Sequence, residues 1–263
     1  MKTAKFIVAL LALMTCSFLL RAQETENTWY ILEYMKVKPG MFDEYLACEQ
    51  TWKTIHKERI RLGQIISWGL YEIAFPSGTG VEYDYVTVTE VKGWNGIEAT
   101  NTGWADAMKV ITPEMQPVID KTEEYRDLVN REVWQTGDAI YKEGATGYAK
   151  FHVCNFMDVP VDGWHAYWDM ETKLVKPVHQ LSINAGKRLG WGLYTLVLPY
   201  GANQPYQAAT VDFYDKWPDI NSDTNDEWGK AHPGMDEDYI DRRIQQTRTL
   251  VKSEIRRLVD SVQ

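Results

Sequence analysis

Basic residues are in the minority in this 263-residue chain, 28 Lys and Arg against 37 Asp and Glu. A net negative surface of this kind argues against nucleic acid or an anionic lipid surface as the main partner. Cysteine is scarce, with three residues, so no disulfide scaffold or thiolate metal cluster can organise the fold. Beyond the N-terminus no run is long and apolar enough for an integral membrane span, which takes roughly 20 residues. Also missing are a Gly-rich phosphate loop, a Cys-x-x-Cys pair, a His-Glu-x-x-His motif and a nucleophile elbow, the signatures of several phosphate, redox, zinc and acyl-transfer chemistries. No metal site is expected. The acidic stretch around Asp223, Asp226, Glu227 and Asp236 to Asp238 fits no EF-hand spacing and reads as a solvated connection.

The first residues have a different character. Lys2 and Lys5 precede an apolar run from Phe6 to Leu20, and Arg21-Ala22-Gln23 opens the polar part of the chain. This is the pattern of a secretory signal peptide. Cleavage is expected after Ala22, giving an exported protein, periplasmic or extracellular. Thr15 before Cys16 makes a poor lipobox. Losing Lys2, Lys5 and Arg21 with no acid moves the formal charge from −9 to −12. Cys48 and Cys154 remain, and one bridge or two buried thiols fit the count equally. Eleven Trp and fifteen Tyr either fill a core or line an aromatic pocket.

The most informative feature is an internal repeat. A shift of 123 residues places Gly40 on Gly163, His56 on His179, Ile60 on Ile183 and Gly63 on Gly186 without a gap. It also places Trp68-Gly69-Leu70-Tyr71 on Trp191-Gly192-Leu193-Tyr194, then Pro76 on Pro199, Tyr83 on Tyr206 and Trp94 on Trp217. Farther on, a shift of 122 matches Arg126, Leu128, Val129 and Glu132 with Arg248, Leu250, Val251 and Glu254. A period this long is a domain-sized unit, expected at 28–143 and 147–263.

Within one unit, Trp29 to Val37 reads as a strand that ends at Lys38-Pro39-Gly40. From Phe42 to Leu62, Phe42, Tyr45, Glu49, Trp52, His56 and Ile60 recur at helical spacing, and Gly63 stops the pattern. Ile65 to Phe75 is apolar on both alternating faces, as a strand covered on two sides should be. Val81 to Val91 supplies a third strand. A helical region is expected over roughly 112–130 and 236–251. Arg131 to Ala139 and Glu254 to Val262 read as fourth strands, although the second could continue its helix.

The order β-α-β-β-α-β is the ferredoxin-like unit, whose sheet has helices on one face only. The fold class expected is α+β: two tandem ferredoxin-like repeats whose open sheet faces meet, forming one pseudo-dimeric α+β barrel. In element order and duplication the chain resembles the dimeric α+β barrel superfamily in a tandem fused form. That superfamily includes cofactor-free monooxygenases acting on aromatic substrates, haem-dependent and haem-degrading enzymes, isomerases, and EthD-like and NIPSNAP-like proteins. The resemblance implies a small-molecule ligand, apolar or aromatic, held in a cleft between helices and sheet. It leaves open a cofactor-independent oxygenase or isomerase, a haem-binding protein, and a non-catalytic structural or interaction module.

His56 and His179 are the leading candidates for catalysis, since the same imidazole recurs on the inward helix face of both units. Each could act as a general base or ligate haem iron, or be a buried histidine that holds structure. Tyr71 and Tyr194 could present hydroxyls near them, with Gly69 and Gly192 leaving space, or simply fill the core. Glu49, Trp52, Arg59, Trp68 and Trp191 are the candidate substrate-binding residues. Thr172 stands opposite Glu49 and Ser182 opposite Arg59, so the polar sites look unequal; alternatively His152 and His165 serve the second half. Trp104, Trp164 and Trp228, if exposed, could stack on sugar rings.

Overall fold

The computed structural model describes residues 28–145 and 148–263; the signal peptide expected at 1–22 lies outside them. Strand β1 (Thr28–Val37) leads into helix α1 (Phe42–Arg61), then β2 (Ser67–Phe75) and β3 (Tyr85–Lys92). Helix α2 (Gly93–Thr102) and short helical turns precede β4 (Arg126–Tyr141). The second half repeats the order: β5 (Phe151–Asp158), α3 (Trp164–Met170), a π-helical turn (Glu171–Val175), α4 (Lys176–Asn184), β6 (Gly190–Leu198), β7 (Ala208–Tyr214), α5 (Asn225–Ala231), α6 (Glu237–Thr247) and β8 (Thr249–Val262). Helix α1 has Asp43 and Glu44 in its first turn and Arg59 and Arg61 in its last, each complementing the helix dipole. Gly63 at φ +70° takes the left-handed turn that ends it.

The strands form one closed antiparallel barrel in the order β1-β3-β2-β8-β5-β7-β6-β4. Each half contributes a four-stranded sheet, β4-β1-β3-β2 or β8-β5-β7-β6, and the two are joined at both edges. Tyr71 of β2 lies opposite Leu258 of β8, and Tyr194 of β6 opposite Thr136 of β4. These are equivalent registers across a pseudo-twofold axis. The sheets do not merely stack face to face: each supplies the partner for the other's unpaired edges, which removes every edge from the fold.

Three apolar layers result. One fills the barrel and draws on both halves, including Tyr34, Tyr71, Trp134, Phe156, Tyr194 and Tyr206. The others lie between sheet and helices, around Trp68 in the first half and Trp191 in the second. Two equivalent hydrogen bonds cross the barrel between the halves: the Tyr83 hydroxyl donates to Glu254, and the Tyr206 hydroxyl to Glu132 at 2.7 Å. Glu132 also accepts from Tyr34 at 2.7 Å and Trp134 Nε1 at 2.9 Å.

Two expectations need correction. The helix expected over 112–130 is only the turns Gln116–Asp120 and Thr122–Tyr125, because Arg126 to Asn130 already pair with β1 in the extended β4. The C-terminal segment likewise leaves its helix at Thr247 and pairs with β2 and β5 as β8. Barrel closure outweighs local helix propensity at both places. Cys48 and Cys154 are free and buried, settling the alternative in favour of two thiols. Among the described residues, no helix is long and apolar enough to cross a membrane.

Expressed alone, residues 28–143 would present the edges of β2 and β4 and a bare apolar sheet face. We expect this fragment to associate, seen as a dimer or larger species by light scattering; a stable, dispersed monomer would contradict the account.

Candidate functional site

Strand alternation sends Tyr30, Tyr71, Trp134, His152, Tyr194 and Arg256 into the barrel, where they line a cavity of about 530 Å³. That is within the roughly 300–1,000 Å³ of small-molecule sites. Phe156, Phe213, Cys154, Thr136 and Glu90 are also part of its wall. Tyr71 is fully buried with its ring 4.4 Å from His152. Its hydroxyl has no hydrogen-bond partner among the described residues. Gly69 and Gly192 explain how the tyrosines fit: a Cβ at Gly69 would sit 3.1 Å from the Tyr71 ring, and one at Gly192 2.5 Å from the Tyr194 hydroxyl. Each ring therefore lies back over the glycine two residues before it.

Burial, assisted by the charge of Arg256, pushes the His152 imidazole down to about 3, so it is neutral at physiological pH. Burial works against the charge of Arg256, but negative partners, the Glu254 carboxylate at 3.0 Å among them, outweigh it and hold the guanidinium well above its ordinary value. Glu254 accepts from Arg256 at 3.0 and 3.2 Å, and Lys252 lies 3.0 Å from the same carboxylate. Burial raises Glu90, which accepts from the Ser67 hydroxyl at 2.7 Å. Burial also pushes the Cys154 thiol up to about 11, which keeps it protonated. The chamber thus offers a neutral imidazole, an unpartnered phenol and a permanent cation within aromatic walls.

The histidines first singled out lie on the other side of the sheet. His56 stacks on Trp68 at 4.8 Å, and His179 on Trp191 at 5.3 Å. Trp68 and Leu70 face the helices while Gly69 and Tyr71 face the barrel, so Tyr71 and Tyr194 are not near His56 and His179 as expected. Glu49, Trp52, His56, Arg59 and Trp68 do come together, around a small space of about 150 Å³. Burial and Arg59 push His56 down to about 3, and burial and Arg188 lower His179 well below its usual range. Trp191 is fully buried in the second helix-facing layer. His165 is exposed, whereas Trp104, Trp164 and Trp228 are half-buried.

The inequality expected between the halves is also corrected. The π-helical turn at Glu171–Val175 absorbs one residue, so Glu171 rather than Thr172 is the structural equivalent of Glu49. Both carboxyls are buried, each with an arginine, Arg126 or Arg248, and a tyrosine, Tyr45 or Tyr167, for company, and burial pushes each up to about 7. The place of Arg59 is taken by Arg188, which bonds the His179 Nδ1 from just before β6. A haem does not fit at either histidine. Each ring is stacked on a tryptophan with Nδ1 beside a guanidinium, and the adjoining space in the first half, about 150 Å³, is too small for a macrocycle.

Among residues that the sequence reading did not select, Tyr30, Glu90, Trp134 and Arg256 line the chamber. The repeat carried part of their signal, aligning Glu90 with Phe213 and Trp134 with Arg256; Tyr30 and His152 are equivalent by strand register, Tyr30 pairing with Glu90 as His152 pairs with Phe213.

No protein-family model and no curated protein matches this chain. Solved structures do. A monooxygenase-like protein from Fusobacterium nucleatum is 10% identical with a TM-score of 0.58, covering 89% of this chain and 94% of its own. A chlorite dismutase variant from Candidatus Nitrospira defluvii is 9% identical with a TM-score of 0.53, covering 89% and 92%. An anthrone oxidase-like protein is 10% identical with a TM-score of 0.52, covering 91% and 94%. At these identities the likeness shows a shared fold, the α+β barrel.

The elevated carboxyls have a measurable consequence. A buried Glu raised to about 7 binds a proton in the folded state that the unfolded chain has released, so its contribution to stability is lost as pH rises from its unfolded value toward 7. Glu49→Gln removes that loss. The stability of the variant relative to the native chain should climb by about 3 kcal/mol between acidic and neutral pH and then level off, as read by denaturant melts across pH.

Proposed function

We propose that this chain is an exported small-molecule protein that binds a planar aromatic compound, bearing a hydroxyl or carbonyl, inside the barrel. The observation that carries this reading is the fully buried Tyr71 hydroxyl, without a partner beside neutral His152, in an aromatic chamber of about 530 Å³. Leaving a buried donor unpaired costs about 1–3 kcal/mol, a deficit that a ligand oxygen offsets. The aromatic walls supply stacking and apolar burial, and Arg256 favours a ligand that carries or develops negative charge.

The reaction that these groups support is cofactor-independent oxygenation of an activated aromatic. His152 accepts the proton of an acidic C–H or O–H, its basicity restored by the anion that forms beside it, Arg256 stabilises that anion, and dioxygen is the oxidant. For an anthrone-like methylene, the carbon loses two hydrogens and gains one oxygen atom, the other leaving as water. The monooxygenase-like and anthrone oxidase-like structural neighbours are consistent with this class.

Calorimetric titration with 2-naphthol should show saturable binding that Ala139→Trp, which fills the chamber near its rim, abolishes. Tyr71→Phe should weaken it by about tenfold or less, the worth of one hydrogen bond. The double variant His56→Ala/His179→Ala should bind normally if it folds. Loss of binding in the histidine variant, with retention in Ala139→Trp, would move the site back to the helix–sheet layer. Oxygen uptake with an anthrone, lost in His152→Phe, separates turnover from binding alone.

A further inference from the structure

The two helix–sheet layers carry the same histidine arrangement but are completed differently. In the second half Arg188 bonds both His179 Nδ1 and the Asp212 carboxylate, and Asp212 Oδ1 stands 3.9 Å from the same ring nitrogen. Asp212 lies on β7, and the repeat aligns it with Thr89 on β3. The first half therefore has the histidine, the stacked tryptophan and the guanidinium, but a threonine where the second half has Asp212.

In its place is a space of about 150 Å³ whose charged lining is Arg59, Arg126 and Arg131 against Glu33 and Glu49, with Thr87 and Thr89 beside them. Arg59 is 3% exposed; Glu33 attracts its charge from beyond ion-pair distance, and its two hydrogen-bond contacts, to His56 Nδ1 and the Thr100 carbonyl, are both 3.4 Å. A guanidinium has five N–H donors, and a buried charge without compensation is costly. Arg131 is committed to Glu33 at 3.2 Å. The Thr87 hydroxyl and Arg126 Nε are buried without hydrogen-bond partners, and Thr87 is 2% exposed. Glu49, the other carboxyl at the wall, is held partly protonated at neutral pH by burial, so it is a weak counter-ion. Unmet donors and positive charge thus converge on one small space.

We propose that this pocket binds a small monocarboxylate, whose carboxylate group takes in the first half the position that Asp212 fills in the second. The planar fork of a guanidinium matches a carboxylate better than it does a spherical ion. Ile31, Met35 and Trp52 on the same wall accept a short aliphatic tail. The site is on the opposite face of the sheet from the barrel chamber, so it does not depend on aromatic binding there.

The full chain, titrated with acetate and propionate in a buffer free of other carboxylates, should bind one equivalent saturably. Arg59→Gln should weaken binding by about tenfold or more, with circular dichroism confirming the fold. Thr89→Asp builds the missing carboxylate into the protein and should abolish binding while keeping or raising the melting temperature. Asp212→Thr should open a second site and take the stoichiometry to two. Absence of saturable binding to the native chain would overturn the proposal, as would unchanged affinity in a folded Arg59→Gln. Equal affinity for chloride or phosphate with the same Arg59 dependence would overturn the choice of a carboxylate.

Discussion

A four-stranded sheet with helices on one face has two unpaired edges and one bare apolar face, and here both deficits are met by the same event. Closing β2 on β8 and β4 on β6 satisfies the edge amides and carbonyls and, in doing so, wraps the bare faces around a common interior. Neither half can supply this alone. Tyr83 to Glu254 and Tyr206 to Glu132 then tie the interior together from both sides. Buried carboxylates are tolerable only when fully bonded: Glu132 accepts from two tyrosines, a tryptophan and Asn130 at 3.1 Å.

Holding the halves in one chain releases the interior from symmetry. A homodimer would present each wall residue twice, related by the axis. Here His152 faces the chamber where the other half has Tyr30, and Arg256 where it has Trp134. The framework positions remain paired: Trp68 with Trp191, Tyr71 with Tyr194, Glu49 with Glu171. Different side chains at equivalent inward positions around the cavity give the two walls different chemistry, as a single asymmetric ligand would favour.

Much of the fold was legible because hydrophobic period and repetition are local properties of the chain. Trp68-Gly69-Leu70-Tyr71 disclosed both the two-sided strand and its copy. The fourth strands were harder, since Arg126 to Asn130 and Thr249 to Ser253 are polar and become extended only by pairing with distant strands. The candidate site was legible in its members but not in its grouping. His56 and Tyr71 belong to one half and one sheet, yet pleat alternation puts them on opposite faces. His152, offered by the sequence only as an alternative for the second half, and Arg256 meet Tyr71 of the first half only once the barrel closes.

The wide turn at Glu171–Val175 shows how a repeat survives a change in length. An ordinary helix rotates about 100° per residue, so an added residue would swing everything beyond it out of phase. Winding one turn loosely takes up the surplus on the spot, leaving Tyr167 and Glu171 upstream and His179 downstream both aimed at the sheet. The turn acts as a splice, and a comparison at one fixed offset mistakes it for the loss of a carboxylate that never left.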